Sequence, residues 1–183
     1  MTALAGLKVA LLIANGFNET EFSEIQRALL KAGAHIKTIS TEKTLANGWL
    51  DNGWGHYFPV DQHISDALAS DFDALVLTGG ERSVAKLMGN PHSKRIISHF
   101  FDAMKPLAAF NEAVTLLTLT GKLEGRTVTA DKADPQMAAA GVRVTDDVTS
   151  VDANLLTIQS HEASLLISAL NDHLQVTEEL AAA

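Results

Sequence analysis

The chain has 183 residues, 46% hydrophobic and 20% charged, with 22 acidic against 14 basic side chains and a formal net charge of −8. That size and balance suit one domain, 1–183, able to bury its own core. With no cysteine in the chain, disulfides, thiolate metal sites and a cysteine nucleophile are excluded, and the acidic field disfavours nucleic acid and anionic membrane surfaces as partners.

The segment Met1 to Leu7 lacks the basic region and apolar stretch of a signal peptide. No apolar run approaches the roughly 20 residues that span a bilayer, so the expected location is cytoplasmic. Lys8 to Ala14 is a continuous apolar run ending at Asn15-Gly16, the pattern of a strand buried on both faces of a parallel sheet. Phe22, Ile25, Leu29 and Leu30 then recur at helical spacing and stop before Gly33, which reads as a C-terminal cap. Ala34 to Ser40 is the next strand and completes a βαβ unit.

Between Asn47 and Phe58 lie both tryptophans, Trp49 and Trp54, interleaved with Gly48, Gly53 and Gly55. The segment reads either as a surface hairpin or extended loop packed on the domain, or as a subunit contact or pocket lid. Ala74 to Leu77 is another buried strand, ending at Thr78-Gly79-Gly80, and a helix follows from about Pro91 to Met104 on the apolar face Ile96, Ile97, Phe100 and Phe101. Leu107 to Phe110 is short and apolar and runs into a helical pattern at Val114, Leu116, Leu117 and Leu119. Short strands are expected at Thr127–Thr129, Val148–Val151 and Leu155–Ile158, with a closing helix around Leu165, Leu166, Ile167 and Leu170. Such alternation predicts an α/β fold, a three-layer doubly wound sandwich with a mostly parallel sheet and helices on both faces.

In open α/β sheets, ligands bind beyond the carboxyl ends of the strands. Three strand ends here carry polar or glycine-rich groups: Asn15-Gly16 through Glu21, Gly79-Gly80-Glu81, and Asn111-Glu112. Their convergence on one crevice is the central expectation.

Four segments, in order and spacing, resemble the ThiJ/PfpI superfamily, whose fold is flavodoxin-like and class I glutamine-amidotransferase-like. KVALLIANGFNETE resembles its opening strand, Gly-Phe and helix glutamate, and FPVDQHISDALASDFDALVLTGG its middle segment. KPLAAFNEAVTLLTLTGKLEGRTVTA resembles its nucleophile-elbow segment, and VDANLLTIQS its last strand. The likeness covers roughly residues 7–170. It implies that Glu21 is the buried acid beside the nucleophile and that the amides near Gly79 and Gly80 form an oxyanion or small-anion site. The nucleophile position falls on Asn111. Where the family commonly reads Ala-Ile-Cys-His-Gly, this chain reads Ala109-Phe110-Asn111-Glu112-Ala113, and the histidine some members carry after the Val128 strand is replaced by Ala130-Asp131-Lys132.

Thiolate chemistry needs a soft nucleophile with a tuned pKa, and a carboxamide nitrogen is not one. Activities that depend on the cysteine are therefore expected to be absent, leaving Asn111 to hydrogen-bond. Glu112 either points into the crevice or sits in the first turn of its helix, where a carboxylate is favoured. Of the seven histidines only His161, after the Ile158-Gln159-Ser160 strand end, falls near the implied pocket. Glu21, Glu81, Glu112 and His161 match no standard metal-ligand spacing, and neither a Walker loop nor a Gly-x-Gly-x-x-Gly motif is present. No cofactor and no metal are expected.

The binding set is thus Glu21, Gly79, Gly80, Asn111, Glu112 and His161. The leading reading is a non-catalytic protein with a small polar ligand, in a stress-related or interaction role, and a homodimer as the resemblance implies. The alternative is a hydrolase or glyoxalase-like enzyme with displaced chemistry, Glu21 acting as general base on water. A third reading gives the Trp49–Trp54 segment a role in assembly.

Overall fold

A computed structural model of the protein describes residues 4–132 and 134–183. Strand β1 (Lys8–Ile13) leads through the two-residue β2 (Phe17–Asn18) into helix α1 (Glu19–Lys31) and returns as β3 (His35–Ser40). A hairpin follows, β4 (Leu45–Leu50) and β5 (Gly53–Pro59), then the short β6 (Gln62–His63) and β7 (Ala74–Leu77). Helices α2 (Glu81–Met88) and α3 (Pro91–Asp102) precede β8 (Leu107–Phe110), which runs into a 3₁₀ helix over Asn111–Thr120. The remainder comprises β9 (Thr127–Thr129), α4 (Pro135–Ala139), β10 (Arg143–Thr145), β11 (Thr149–Asp152), β12 (Leu155–Ile158) and α5 (Ala163–Ala182).

Seven strands form the central sheet in the order β11-β12-β8-β7-β1-β3-β6, parallel except where β11 turns back along β12. Alternation along β1 explains the layers. Val9, Leu11 and Ile13 pack with Phe22, Ile25 and Leu29 of α1 and Leu166 and Leu170 of α5. Ala10, Leu12 and Ala14 belong to the opposite core, with Leu87 of α2 and Ile96, Ile97 and Phe100 of α3. A strand with both faces covered must be apolar at every position, and after Lys8 every residue of β1 is buried. The fold is the expected α/β sandwich with helices on both faces of a mostly parallel sheet.

Some local expectations hold and others shift. Leu30 lies on the outer side of α1 and is exposed; Gly33, at φ 89°, ends that helix in the left-handed conformation. Helix α2 was not anticipated: it is eight residues long, and its N-cap, Gly80, offers no side-chain bond. The helical pattern after Phe110 winds as a 3₁₀ helix rather than an α-helix. Asn47–Phe58 is a hairpin whose turn, Asp51-Asn52, has φ of 49° and 62°, the two positive values that a two-residue type I′ loop requires.

Candidate functional site

Asn18 starts the site. It caps α1, its side-chain oxygen accepting from Glu21 N at 3.1 Å, and its own N–H donates to Gly79 O at 2.9 Å. The cap fixes Glu21 on the first turn of α1, at the carboxyl end of the sheet. Here the Glu21 side chain does not reach back along its helix; it crosses to the next strand ends. Oε1 accepts from Gly79 N, and Oε2 accepts from Asn111 Nδ2 at 2.5 Å. His161 Nδ1 stands 3.3 Å from the same Oε2. The Glu21 side chain has 0% exposure and that of His161 has 64%.

Asn111 occupies the turn between β8 and the 3₁₀ helix with φ 47°, a left-handed conformation that asparagine tolerates better than most residues. Its side-chain nitrogen also donates to Ser160 O at 3.1 Å, and its main-chain carbonyl accepts from Gln159 Nε2 at 3.2 Å. Parallel pairing of β8 with β12 brings these strand ends together, since Phe110 is in register with Ile158. Glu112 turns toward the crevice: its Oε2 accepts from Gly80 N at 3.1 Å. Burial is the main cause that pushes the Glu21 carboxyl above its ordinary range, and the charge of Glu112 adds to it. Bonds from Gly79 and Asn111 and the nearby His161 pull the other way.

Two crevices of about 780 Å³ each meet at Glu81, Glu112 and His161. One runs toward Trp49, Asp51 and Arg82, under the hairpin tip, and the other toward Val84, Asn111, Asp134 and Gln159. The structure thus brings together all six sequence-predicted residues, from three strand ends and the loop after β12. It also corrects two expectations. Gly79 and Gly80 do not offer open donors to an anion, because each N–H is already bonded to one of the chain's own carboxylates. Glu21 has no exposed surface from which to reach a water in the crevice. No three His, Asp or Glu side chains among the described residues are grouped to hold a metal ion.

The model of the DJ-1/PfpI family matches residues 7–170. The chain belongs to the DJ-1/PfpI family. An uncharacterized protein of Staphylococcus aureus strain Mu50 is 31% identical over 153 residues, covering 82% of this chain and 87% of the relative. The crystal structure of a ThiJ/PfpI domain protein from Brachyspira murdochii superposes with a TM-score of 0.83 at 22% identity, over 94% of this chain and 98% of that one. A two-domain protein of Anabaena variabilis, with DJ-1/ThiJ/PfpI-like and ferritin-like domains, also gives 0.83, at 26% identity, over 92% of this chain and 48% of its own. The chain, which has no cysteine, is thus a DJ-1/PfpI member without a cysteine nucleophile.

Sequence reasoning missed three contributors. Asn18 sets the position of Glu21. Arg82 lies over the Trp49 ring, 3.9 Å from its centroid, and lines the first crevice. Glu19, buried on α1, holds the hairpin: Oε2 accepts from His56 N at 2.8 Å and Oε1 meets His56 Nδ1 at 2.5 Å. The glycines at 48 and 55 were the available signal for Glu19, because a Cβ at either would run into its side chain. No helix among the described residues is long and apolar enough to cross a membrane.

Proposed function

We propose that this DJ-1/PfpI protein is a non-catalytic single-domain member that binds a small polar molecule in the crevice in front of Glu112. The reading includes a cytoplasmic location, a homodimer, no cofactor, and a stress-related or interaction role; nucleic acid and membranes are not among its partners. The observation that carries it is the Asn111 amide, bonded to both Glu21 and Ser160 O. A carboxamide nitrogen, its lone pair delocalised into its own carbonyl, is no nucleophile, and these two donated bonds lock the elbow in shape. Volume supports binding, since about 780 Å³ lies within the usual range of small-molecule sites. The acidic balance of the chain, −8, argues against polyanions.

The test is turnover of methylglyoxal and of ester and amide probes by the purified protein. No turnover above background is expected, either in the parent or in Asn111→Ala. Turnover that disappears in Glu21→Gln while the fold survives would overturn the reading and establish displaced chemistry based on Glu21.

A further inference from the structure

Arg82 stands apart from the other four arginines. Arg27 pairs with Glu24 at 3.1 Å, Arg95 donates to the carbonyls of Ala67 and Ile64, Arg126 to that of Asp152, and Arg143 to that of Gly125. Among the described residues, Arg82 has no oxygen partner for its guanidinium; its contact is with the ring of Trp49 at 3.9 Å. It is nevertheless held in place. A Cβ on Gly16 would come within 2.4 Å of Arg82 Cβ, so the stem packs on the bare backbone of Gly16 while the head lies over Trp49. A guanidinium fixed by its stem and by an aromatic face, with its donors unpaired, is prepared for a planar acceptor such as a carboxylate.

The opposite charge is equally prepared. Glu112 lines the same crevice and is oriented by its bond from Gly80 N at 3.1 Å. A carboxylate has about four acceptor sites, so that bond leaves capacity for an ammonium donor. Asp51 and Glu81 add negative charge to the lining, whose basic side chains are Arg82 and His161. A purely anionic ligand would meet three carboxylates and find the Gly79 and Gly80 amides taken. A purely cationic ligand would leave Arg82 unpaired and be repelled by it.

We propose that the crevice selects a zwitterion, its carboxylate on Arg82 and its ammonium on Glu112, with Trp49 as the aromatic wall. The inference rests on the small-ligand reading above and gives it a ligand class.

Titration calorimetry at low ionic strength would compare L-alanine, β-alanine, γ-aminobutyrate and 5-aminovalerate with the singly charged propionate and n-propylamine. At least one zwitterion should bind about tenfold or more tighter than both singly charged probes, as expected when two charge-assisted contacts replace one. Arg82→Gln and Glu112→Gln should each weaken that zwitterion about tenfold or more without lowering the melting temperature appreciably. Arg82→Lys, which keeps the charge but loses the planar fork, should fall between parent and Arg82→Gln. Binding of propionate as tight as the best zwitterion, indifference to Glu112→Gln, or no zwitterion binding at all would each overturn the proposal. Tight binding of a singly charged probe alone would leave the small-ligand reading standing. Turnover of methylglyoxal would instead sink the non-catalytic reading and leave the charge pairing untouched.

Discussion

Asn111 Nδ2 and Glu21 Oε2 are 2.5 Å apart although 90 residues separate them in the chain. This contact ties the start of α1 to the turn after β8, and it matters because the carboxylate has no exposed surface. A fully buried charge is tolerated only when its lone pairs are satisfied. Gly79 N serves one oxygen and Asn111 the other. Asn111 therefore completes the environment of Glu21, and its side chain is oriented by that task and by Ser160 O.

Titration of Glu21 gives the first prediction. Its pKa is raised above the ordinary 4.5, chiefly by burial. Across the window between 4.5 and the raised value the folded state holds more protons than the unfolded chain, so stability falls as pH rises. The contribution is complete below 4.5 and lost through the folded value. Glu21→Gln removes this titration. Urea unfolding of parent and variant at several pH values should show the parent gaining relative to the variant on acidification through that window. A difference that stays flat, or slopes the other way, would show that Glu21 is not held this way.

A thiol placed at the elbow reports the local field. In Asn111→Cys the sulfur would sit beside Glu21 and next in sequence to Glu112, whose charge already acts on Glu21. A nearby negative charge disfavours thiolate, so Glu112 should raise the thiol pKa. Adding Glu112→Gln to Asn111→Cys should therefore lower it, read from the pH dependence of iodoacetamide alkylation. An unchanged or higher pKa in the double variant would mean that Glu112 faces away from the elbow.

The parts legible in the sequence are those set by short-range patterns. The unbroken apolar run of β1, the spacing of Phe22, Ile25 and Leu29, and the glycine pair after β7 each follow from burial or turn chemistry within a few residues. The segment resemblance placed Glu21, Asn111 and His161 near one another. What could not be read is set by contacts distant in sequence. Whether Glu112 stays on its own helix or crosses to Gly80, 32 residues away, is decided by how β7 and β8 align. The burial of Glu19 depends on the hairpin closing over α1, and the stacking of Arg82 on Trp49 on a helix too short to announce itself.

Closure of that hairpin supplies a third prediction. A Cβ on Gly55 would lie 1.9 Å from Glu19 Oε2, and the carboxylate cannot retreat without giving up His56. Gly55→Ala should cost about 1–3 kcal/mol, the usual penalty for disrupting a buried charged hydrogen bond. The loss should be local, with hydrogen exchange rising in β4 and β5 before the central sheet. Because both changes act on one contact, Gly55→Ala combined with Glu19→Gln should destabilise by less than their sum; strict additivity would mean that Gly55 and Glu19 act independently.

Gly80 is the position where the crevice has least tolerance. Its φ is 114°, outside the range that side-chain-bearing residues adopt comfortably. A Cβ there would also stand 2.6 Å from Asn18 N and 2.7 Å from Gly16 O, both backbone atoms that cannot rotate away. Strain and overpacking together should make Gly80→Ala cost about 3 kcal/mol or more. The displacement would separate the loop after β1 from the loop after β7, breaking the bond from Asn18 N to Gly79 O. Since the bond from Gly79 N is one of those that hold the Glu21 pKa down, its loss should raise that pKa further and strengthen the fall of stability with rising pH ascribed to that carboxyl. Urea unfolding at two pH values on Gly80→Ala reads both effects. A variant as stable as the parent would mean that the two loops do not meet as closely as these distances require.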